Sequence, residues 1–282
     1  MRKAELISLL DSLGLHPSRK LGQNFLIDEN CLSALVRAAA PQAGEEILEI
    51  GPGTGALTQR LIDAQCKLTA IEYDHRLAEY LREKYRDCPN FRLIEGDACR
   101  IEYDKIYPAG TSWRCIANLP YSCGSVIIAK FCAMQEPPSS LHILLQREMG
   151  ERLCAKPGCG DYGALTVRTA LAYHPEIVRI VPPGVFFPPP EVDSAYVRLS
   201  ALDAPAPLDV RRLAGELAIT AFAQRRKKAK RLLENHWKNF DFASELTALG
   251  LSVDCRAENI SPAQYTALAR AVLQNEQLQP KA

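Results

Sequence analysis

Four places in the sequence bring together residue types that can do chemistry. The first is EIGPGTG, Glu49–Gly55, with glycines at alternate positions 51, 53 and 55 between an apolar run and a helical pattern. Glycine permits positive φ and close backbone approach, and a helix start offers unpaired N–H groups, so a nucleotide can lie over such a turn. A tight strand–helix turn without any ligand would use the same glycines. The spacing is G-x-G-x-G, whereas the dinucleotide fingerprint is G-x-G-x-x-G with room for a pyrophosphate. The acid ahead of the first glycine, Glu49, also sits poorly beside a diphosphate. It suits a ligand with positive charge and no phosphate, and S-adenosylmethionine, with its sulfonium and α-amino groups, is such a ligand.

Glu72 closes the apolar run LTAIE and Asp97 follows the run FRLIEG. A carboxylate at the first position can take both hydroxyls of a ribose, and one at the second can accept from an adenine amino group. Either could instead cap the helix that follows it. Three matches at successive strand ends on one sheet edge favour the ligand reading over a bare turn and two separate caps. The fourth place is NLPY, Asn118–Tyr121, at the end of WRCIANLPY. An amine that attacks a methyl group needs acceptors for its hydrogens and a wall for its ring. The Asn118 side-chain carbonyl and the Leu119 backbone carbonyl, whose conformation Pro120 restricts, supply acceptors, and Tyr121 supplies a ring to stack on. A proline turn with a core tyrosine would leave the asparagine without a purpose.

These positions require elements that bring strand ends together. From Glu45 onward, short apolar runs alternate with longer amphipathic ones: EEILEI, KLTAIEYD, FRLIEGDA, WRCIANLPY and LHILLQ read as strands, GALTQRLIDA, HRLAEYLREKY and SVIIAKFCAM as helices. Such alternation predicts parallel βαβ units in a doubly wound sheet. Past REMGERL, the runs LTVRTALAY, EIVRIVP and SAYVRLS are separated by proline and glycine, which predicts strands pairing antiparallel at one edge. ALDAPAPLD, 201–209, reads as a linker, and every segment beyond it has helical periodicity. The expected organisation is a catalytic domain over 1–200 and an all-helical domain over 201–282.

The chain has 282 residues, 47% apolar and 24% charged, so it can bury a substantial core as a soluble globular protein. Net charge is +1, which leaves only the distribution of charge to speak about nucleic acid. That distribution is uneven: Arg225, Arg226, Lys227, Lys228, Lys230 and Arg231 fall within AFAQRRKKAKRLL, a helical segment by its pattern, and favour phosphate contacts over a merely solvated face. VPPGVFFPPPEVDS, 181–194, packs five prolines around two phenylalanines, a stiff loop on which an exposed ring loses little entropy on meeting a base; one of the rings is expected to plug the sheet edge. The N-terminus has charges interrupting its apolar positions, unlike a secretory signal, and no stretch approaches the roughly 18 apolar residues of a membrane span. Ten cysteines without a C-x-x-C pair are expected to be reduced thiols in a cytoplasm, with no metal site. LGQNFL, after Arg19 and Lys20, has no role that its residues reveal alone.

LGQNFL, EIGPGTGALT, IEYD, GDA, NLPY, QREMGERL, FFPPPEVDSAYVRL, FAQRRKKAKRLL and RAENISPAQY occur in the order seen in the KsgA-type small-subunit rRNA adenine dimethyltransferases, and the chain resembles that family from about residue 19 to about 270. G-x-G-x-G is shared by class I methyltransferases at large, whereas LGQNFL, NLPY and the proline-rich VDS segment together are far more specific. The resemblance implies a Rossmann-like α/β class I methyltransferase fold with a seven-stranded, mostly parallel sheet and a small helical C-terminal domain. It implies S-adenosylmethionine-dependent dimethylation of the exocyclic amines of two adjacent adenosines near the 3′ end of small-subunit rRNA, in ribosome biogenesis. Carried onto matching positions, Asn24, Leu26, Gly51, Glu72, Asp97 and Asn118 would contact the cofactor, beside Glu49 and Gly53 of the glycine turn. LGQNFL would fold over it. Asn118, Leu119, Pro120 and Tyr121 would hold the base, with an aromatic from the proline-rich loop opposite. Phe186 occupies the family's aromatic position and Phe187 a variable one. The expected partner is small-subunit rRNA in a pre-ribosomal 30S-type particle, met by a cytoplasmic monomer without a membrane. Two other readings compete: a large-subunit rRNA adenine methyltransferase conferring antibiotic resistance, against which FFPPPEVDS and RAENIS argue, and a non-catalytic RNA-binding assembly factor, against which intact Glu72, Asp97 and NLPY argue.

Overall fold

The computed structural model describes residues 2–17 and 22–278; Arg19, Lys20 and the leucine that opens LGQNFL lie outside the described residues. In chain order the elements are α1 (Lys3–Ser12), β1 (Phe25–Leu26), α2 (Glu29–Ala39), β2 (Glu46–Ile50), α3 (Ala56–Asp63), β3 (Lys67–Glu72), α4 (His75–Lys84), β4 (Phe91–Glu95), α5 (Tyr103–Ile106), β5 (Trp113–Asn118), α6 (Gly124–Cys132), β6 (Ser140–Gln146), α7 (Arg147–Leu153), α8 (Ala164–Ala170), β7 (Tyr173–Val181), β8 (Phe186–Phe187) and β9 (Ser194–Ala201). The chain continues with α9 (Leu208–Phe222), α10 (Ala229–His236), α11 (Phe242–Ala248) and α12 (Pro262–Leu278).

Seven strands form one sheet in the order β4-β3-β2-β5-β6-β9-β7. The five from β4 to β6 run parallel, and β9 joins β6 antiparallel, pairing Ser140 with Ser200 through to Gln146 with Ser194. Parallel strands covered on both faces read as continuous apolar runs, and Ile47, Leu48, Ile50, Cys115, Ile116 and Ala117 are accordingly buried. The chain winds outward from β2 through β3 to β4 and then returns to place β5 on the other side of β2. That reversal opens a crevice at the carboxyl ends of β2 and β5, where open α/β sheets hold their ligands. β1 and β8 pair separately as a two-residue antiparallel ribbon, Phe25 with Phe187 and Leu26 with Phe186.

Packing divides the chain into two units. The first runs up to Ile128 and includes Pro138–Gly150 and Glu176–Ser200; the second comprises Ala129–Pro137, Glu151–Pro175 and the chain from Ala201. The second unit thus takes in more than 201–282. One reason is that LTVRTALAY, expected as a strand, is the helix α8. Its β-branched residues favour a strand, but tertiary contacts override that preference. The Gly163 amide donates to Thr166 Oγ1 at 3.1 Å, Thr166 Oγ1 donates to the Arg152 carbonyl at 2.6 Å, and the Arg168 guanidinium donates to the Ala129 carbonyl at 2.8 Å. Val167 and Leu171, one helical turn apart, then join a core with Ala214, Leu217 and Leu268. A second expectation also changes. Arg225–Lys228 do not extend a helix; they form the turn between α9 and α10, and only Lys230 and Arg231 lie on α10. Like charges a turn apart destabilise a helix, and here the Lys228 backbone bridges antiparallel to Arg256 instead.

Candidate active site

The turn after β2 is shaped by its glycines. Gly51, Gly53 and Gly55 all have left-handed φ, at 67°, 59° and 83°. At Gly53 a Cβ would lie 3.0 Å from the Phe25 ring, so a side chain is excluded there by space as well as by conformation. The Gly53 amide donates to Glu72 Oε2 at 3.1 Å, while Glu72 Oε1 accepts from the amides of Tyr73 and Asp74 at 2.8 and 2.9 Å. A carboxylate has about four acceptor sites. Three are thus filled by backbone, which fixes Glu72 and leaves capacity for a ligand hydroxyl. Burial pushes the Glu72 carboxyl up, and these backbone hydrogen bonds oppose the shift.

Glu49, the penultimate residue of β2, is 2% exposed and accepts a 2.7 Å hydrogen bond from Thr58 Oγ1 on α3. Burial pushes its carboxyl up to about 8, the Thr58 hydrogen bond opposes this, and the nearby Glu72 charge adds to it. Glu49 is therefore held largely protonated at neutral pH, a buried acid that a cationic ligand would ionise. Beside it, Lys84 donates from Nζ to the Thr54 carbonyl at 3.2 Å, and Tyr85 Oη donates to the Gly55 carbonyl at 3.0 Å. Both brace the glycine turn from the α4 side. Lys84 is signalled by no motif, and Thr58, though it ends EIGPGTGALT, is given no role by sequence reasoning.

At the end of β5, Asn118 donates from Nδ2 to the Asn24 carbonyl at 3.0 Å. This fixes the amide and leaves Oδ1 as its acceptor. The same contact ties down the LGQNFL segment, whose backbone also approaches the NLPY turn: Gly22 has φ 64°, and a Cβ there would lie 3.0 Å from the Tyr121 nitrogen. Leu119 is buried, and its amide closes the sheet by donating to the Leu144 carbonyl at 3.0 Å. Tyr121 is half-buried and its hydroxyl bonds to Ser194 Oγ, the last residue of the proline-rich VDS segment, to which sequence reasoning gives no role of its own. Burial pushes the phenol up and the Ser194 bond opposes this.

Asp97 uses Oδ1 to accept from the Cys99 amide at 2.8 Å, and Oδ2 lies 3.4 Å from Arg100 Nε. It therefore serves the local turn while also facing a cavity of about 350 Å³, within the range of small-ligand pockets. That cavity brings together Asn24, Leu26, Glu49, Gly51, Gly53, Glu72, Asp97 and Asn118, with Pro120, Cys99 and Cys123 also in its wall. Leu119, Tyr121 and Phe186 are outside this set. Phe186, expected to face the base, is 2% exposed in the core with Leu32, Leu35, Ile116, Leu144 and Tyr196; its ladder partner Leu26 sets which way it points. Phe187 points to the other side, partly buried against Leu6, Leu10 and Leu77 with Lys3 Nζ 5.1 Å over its ring. The residues present fit S-adenosylmethionine: a glycine cradle, a fixed carboxylate for hydroxyls, and a buried acid whose carboxyl stays raised although Lys84 lies near it. None of the ten cysteines forms a disulfide. Among the described residues no helix is long and apolar enough to cross a membrane.

In the second unit, the six basic residues divide. Arg225 pairs with Glu258 at 3.4 Å and donates to the Tyr162 carbonyl at 2.8 Å, Lys228 pairs with Asp254 at 2.7 Å, and Lys230 with Glu234 at 3.6 Å. Arg226, Lys227 and Arg231 are exposed and make no ion pair among the described residues.

Residues 15–273 match the model of the family described as ribosomal RNA adenine dimethylase. The chain is 38% identical over 259 residues to ribosomal RNA small subunit methyltransferase A of Variovorax paradoxus, covering 91% of this chain and 98% of the relative. It is 36% identical over 254 residues to the protein of that name from Herminiimonas arsenicoxydans, covering 90% and 97%. Among solved structures it is similar to a dimethyladenosine transferase from Plasmodium falciparum, with TM-score 0.73 and 25% identity, covering 90% of this chain and 98% of that one. It is also similar to the 23S rRNA methyltransferase ErmE, with TM-score 0.63 and 25% identity, covering 89% and 100%.

Proposed function

Because the chain belongs to the ribosomal RNA adenine dimethylase family, we propose that it dimethylates the exocyclic amines of two adjacent adenosines near the 3′ end of small-subunit rRNA, using S-adenosylmethionine. The observation that carries this reading is the divided Asn118 amide: its Nδ2 is spent on the Asn24 carbonyl, so its Oδ1 is oriented as an acceptor at the mouth of a cavity suited to a cationic nucleoside.

S-adenosylmethionine, when bound, supplies an electrophilic methyl group on its sulfonium. Glu72 would hold the ribose hydroxyls, Asp97 the adenine amino group, and Glu49 the cationic end, with Asn24 and Leu26 of the N-terminal segment closing over them. The adenine amine is a poor nucleophile because its lone pair is delocalised into the ring. Asn118 Oδ1 and the Leu119 carbonyl accept its two hydrogens, which favours pyramidalisation and frees the lone pair. Pro120 fixes the turn that carries both acceptors. Tyr121 offers a ring against which the base stacks, offsetting an unstacking cost of a few kcal/mol. No residue need act as a strong base, since the amine proton becomes acidic only after methylation. Phe186, packed in the core, supports the strand beside this wall instead of forming its face.

RNA is held by charge and shape, with the basic residues 225–231 of the second unit as the contact. The substrate is rRNA in a pre-ribosomal 30S-type particle, and the enzyme acts as a cytoplasmic monomer. Support for the small subunit over the large is the 36–38% identity to relatives named as small-subunit methyltransferases, together with a TM-score of 0.73 to a dimethyladenosine transferase against 0.63 to ErmE. Methyl incorporation into isolated subunits tests it: label in small-subunit adenosines is expected, and label confined to the large subunit would overturn it. A protein that binds pre-ribosomes without saturable S-adenosylmethionine binding would be an assembly factor.

A further inference from the structure

Tyr121 leaves the NLPY turn at the surface of the sheet, and a ring attached to such a turn has two free torsions. What holds it is a hydroxyl from a distant part of the chain. Ser194 is 0% exposed, the first residue of β9, and its Oγ bonds to the Tyr121 hydroxyl. Ser194 cannot drift. Its backbone is laddered to Gln146 at the end of β6, and the preceding Asp193 carbonyl accepts from the Arg147 amide at 2.9 Å, closing the β6–α7 junction. On the other side, Gly22 packs against the Tyr121 amide, so the backbone of this residue is also hemmed in. The phenol is therefore clamped at both ends, backbone and hydroxyl, and the place where its ring stands is set before any base arrives.

We propose that Ser194 is a positioning residue for methyl transfer, acting through the Tyr121 hydroxyl to fix the ring on which the target adenine stacks. This rests on the reading of Tyr121 as the wall of the base site. A phenol whose hydroxyl meets a buried side chain depends on that partner, and no other hydroxyl or carbonyl is bonded to Tyr121 Oη among the described residues. Without that partner the ring samples several rotamers, of which only one faces the base squarely. The consequence falls on the reacting complex and not on the cofactor, since neither Ser194 nor Tyr121 lines the cofactor cavity.

The test is single-turnover methylation of small subunits at saturating S-adenosylmethionine by the wild type, Ser194→Ala, Tyr121→Phe and the double variant. Each single variant is expected to slow methyl transfer by about 5- to 10-fold, the size of one hydrogen bond, with the dissociation constant for S-adenosylmethionine unchanged. The double variant is expected to be no slower than the slower single, because both remove the same bond. Tyr121→Phe leaves β9 untouched and reads the bond even where Ser194→Ala fails to fold. Wild-type rates in Tyr121→Phe, or rate reductions that multiply in the double variant, would overturn the inference. Failure of the wild type itself to methylate small subunits would instead sink the functional reading beneath it.

Discussion

The cavity at the ends of β2 and β5 and the basic turn are each proposed to meet a charged partner, and they are built in opposite ways. In the cavity the key polar groups are held in place by their surroundings: Glu72 by three amides, Asn118 by the Asn24 carbonyl, Glu49 by burial and Thr58. In the turn, Arg226, Lys227 and Arg231 are exposed and project from a segment without regular structure or from the first turn of α10. Fixed groups act through geometry, so removing one is not compensated by its neighbours. Exposed cations act through their summed field, and each adds a small increment. The contrast predicts a ranking of effects that descends from single fixed groups to shared charge.

The largest effect is expected at Phe186, and it falls on stability. Phe186→Ala empties a site in the sheet core and should cost about 3–5 kcal/mol, read from denaturant unfolding. Phe187→Ala, at a partly buried position, should cost less. A Phe186→Ala protein that keeps its stability but no longer transfers methyl groups would move this ring from the core to the base wall. Next comes Asn118→Ala, for which single-turnover methyl transfer should fall by about 10²- to 10³-fold, as on removing one preorganised hydrogen-bonding group, with rRNA binding retained. An equal fall in RNA binding would make Asn118 a structural residue that latches the N-terminal segment.

A smaller, continuous effect is expected from pH. Glu49 in the free protein has its carboxyl raised to about 8, so it carries a proton at neutral pH. A cationic ligand favours the carboxylate, and binding releases that proton. Affinity for S-adenosylmethionine should therefore rise with pH, by at most about tenfold per unit below 8, and level off above it. Stability of the free protein moves the other way: the unfolded carboxyl ionises near its ordinary value while the folded one does not, so stability falls as pH rises from about 4.5 to 8. Calorimetry in buffers of different ionisation enthalpy reads the released proton directly. Glu49→Gln should flatten the profile; an unchanged slope would assign the proton elsewhere.

The same contrast explains what the sequence disclosed. Apolar runs ended by Glu72, Asp97 and NLPY were legible because a parallel sheet imposes a length, a composition and a strand end where ligands bind. α8 was not, because Thr166, Val167 and Thr169 favour a strand locally and only tertiary hydrogen bonds and packing reverse it. The orientation of Phe186 depends on a two-residue ladder with Leu26, too short to leave a period. Ser194 meets Tyr121 across 73 residues, and a lone hydroxyl has no pattern to betray such a partner. For the basic run, charge was visible but pairing was not, since Glu258 and Asp254 come from a later segment of the chain.

That pairing supplies the smallest and most discriminating prediction. A cation already matched by a carboxylate neutralises a phosphate less fully than an unmatched one, so fewer of the counterions condensed on the RNA are released. Changing Arg226, Lys227 and Arg231 together to glutamine should therefore reduce the slope of log affinity for rRNA against log salt by about 0.7–0.9 for each phosphate no longer neutralised. Changing Arg225, Lys228 and Lys230 together to glutamine should alter the slope less, because Glu258, Asp254 and Glu234 are left behind as unpaired negative charges whose effect on affinity comes through repulsion. The two triple variants carry the same change in net charge, so a difference between them reports arrangement alone. Equal slopes would mean that the ion pairs open when RNA binds, and the turn would then act as one undivided patch of six.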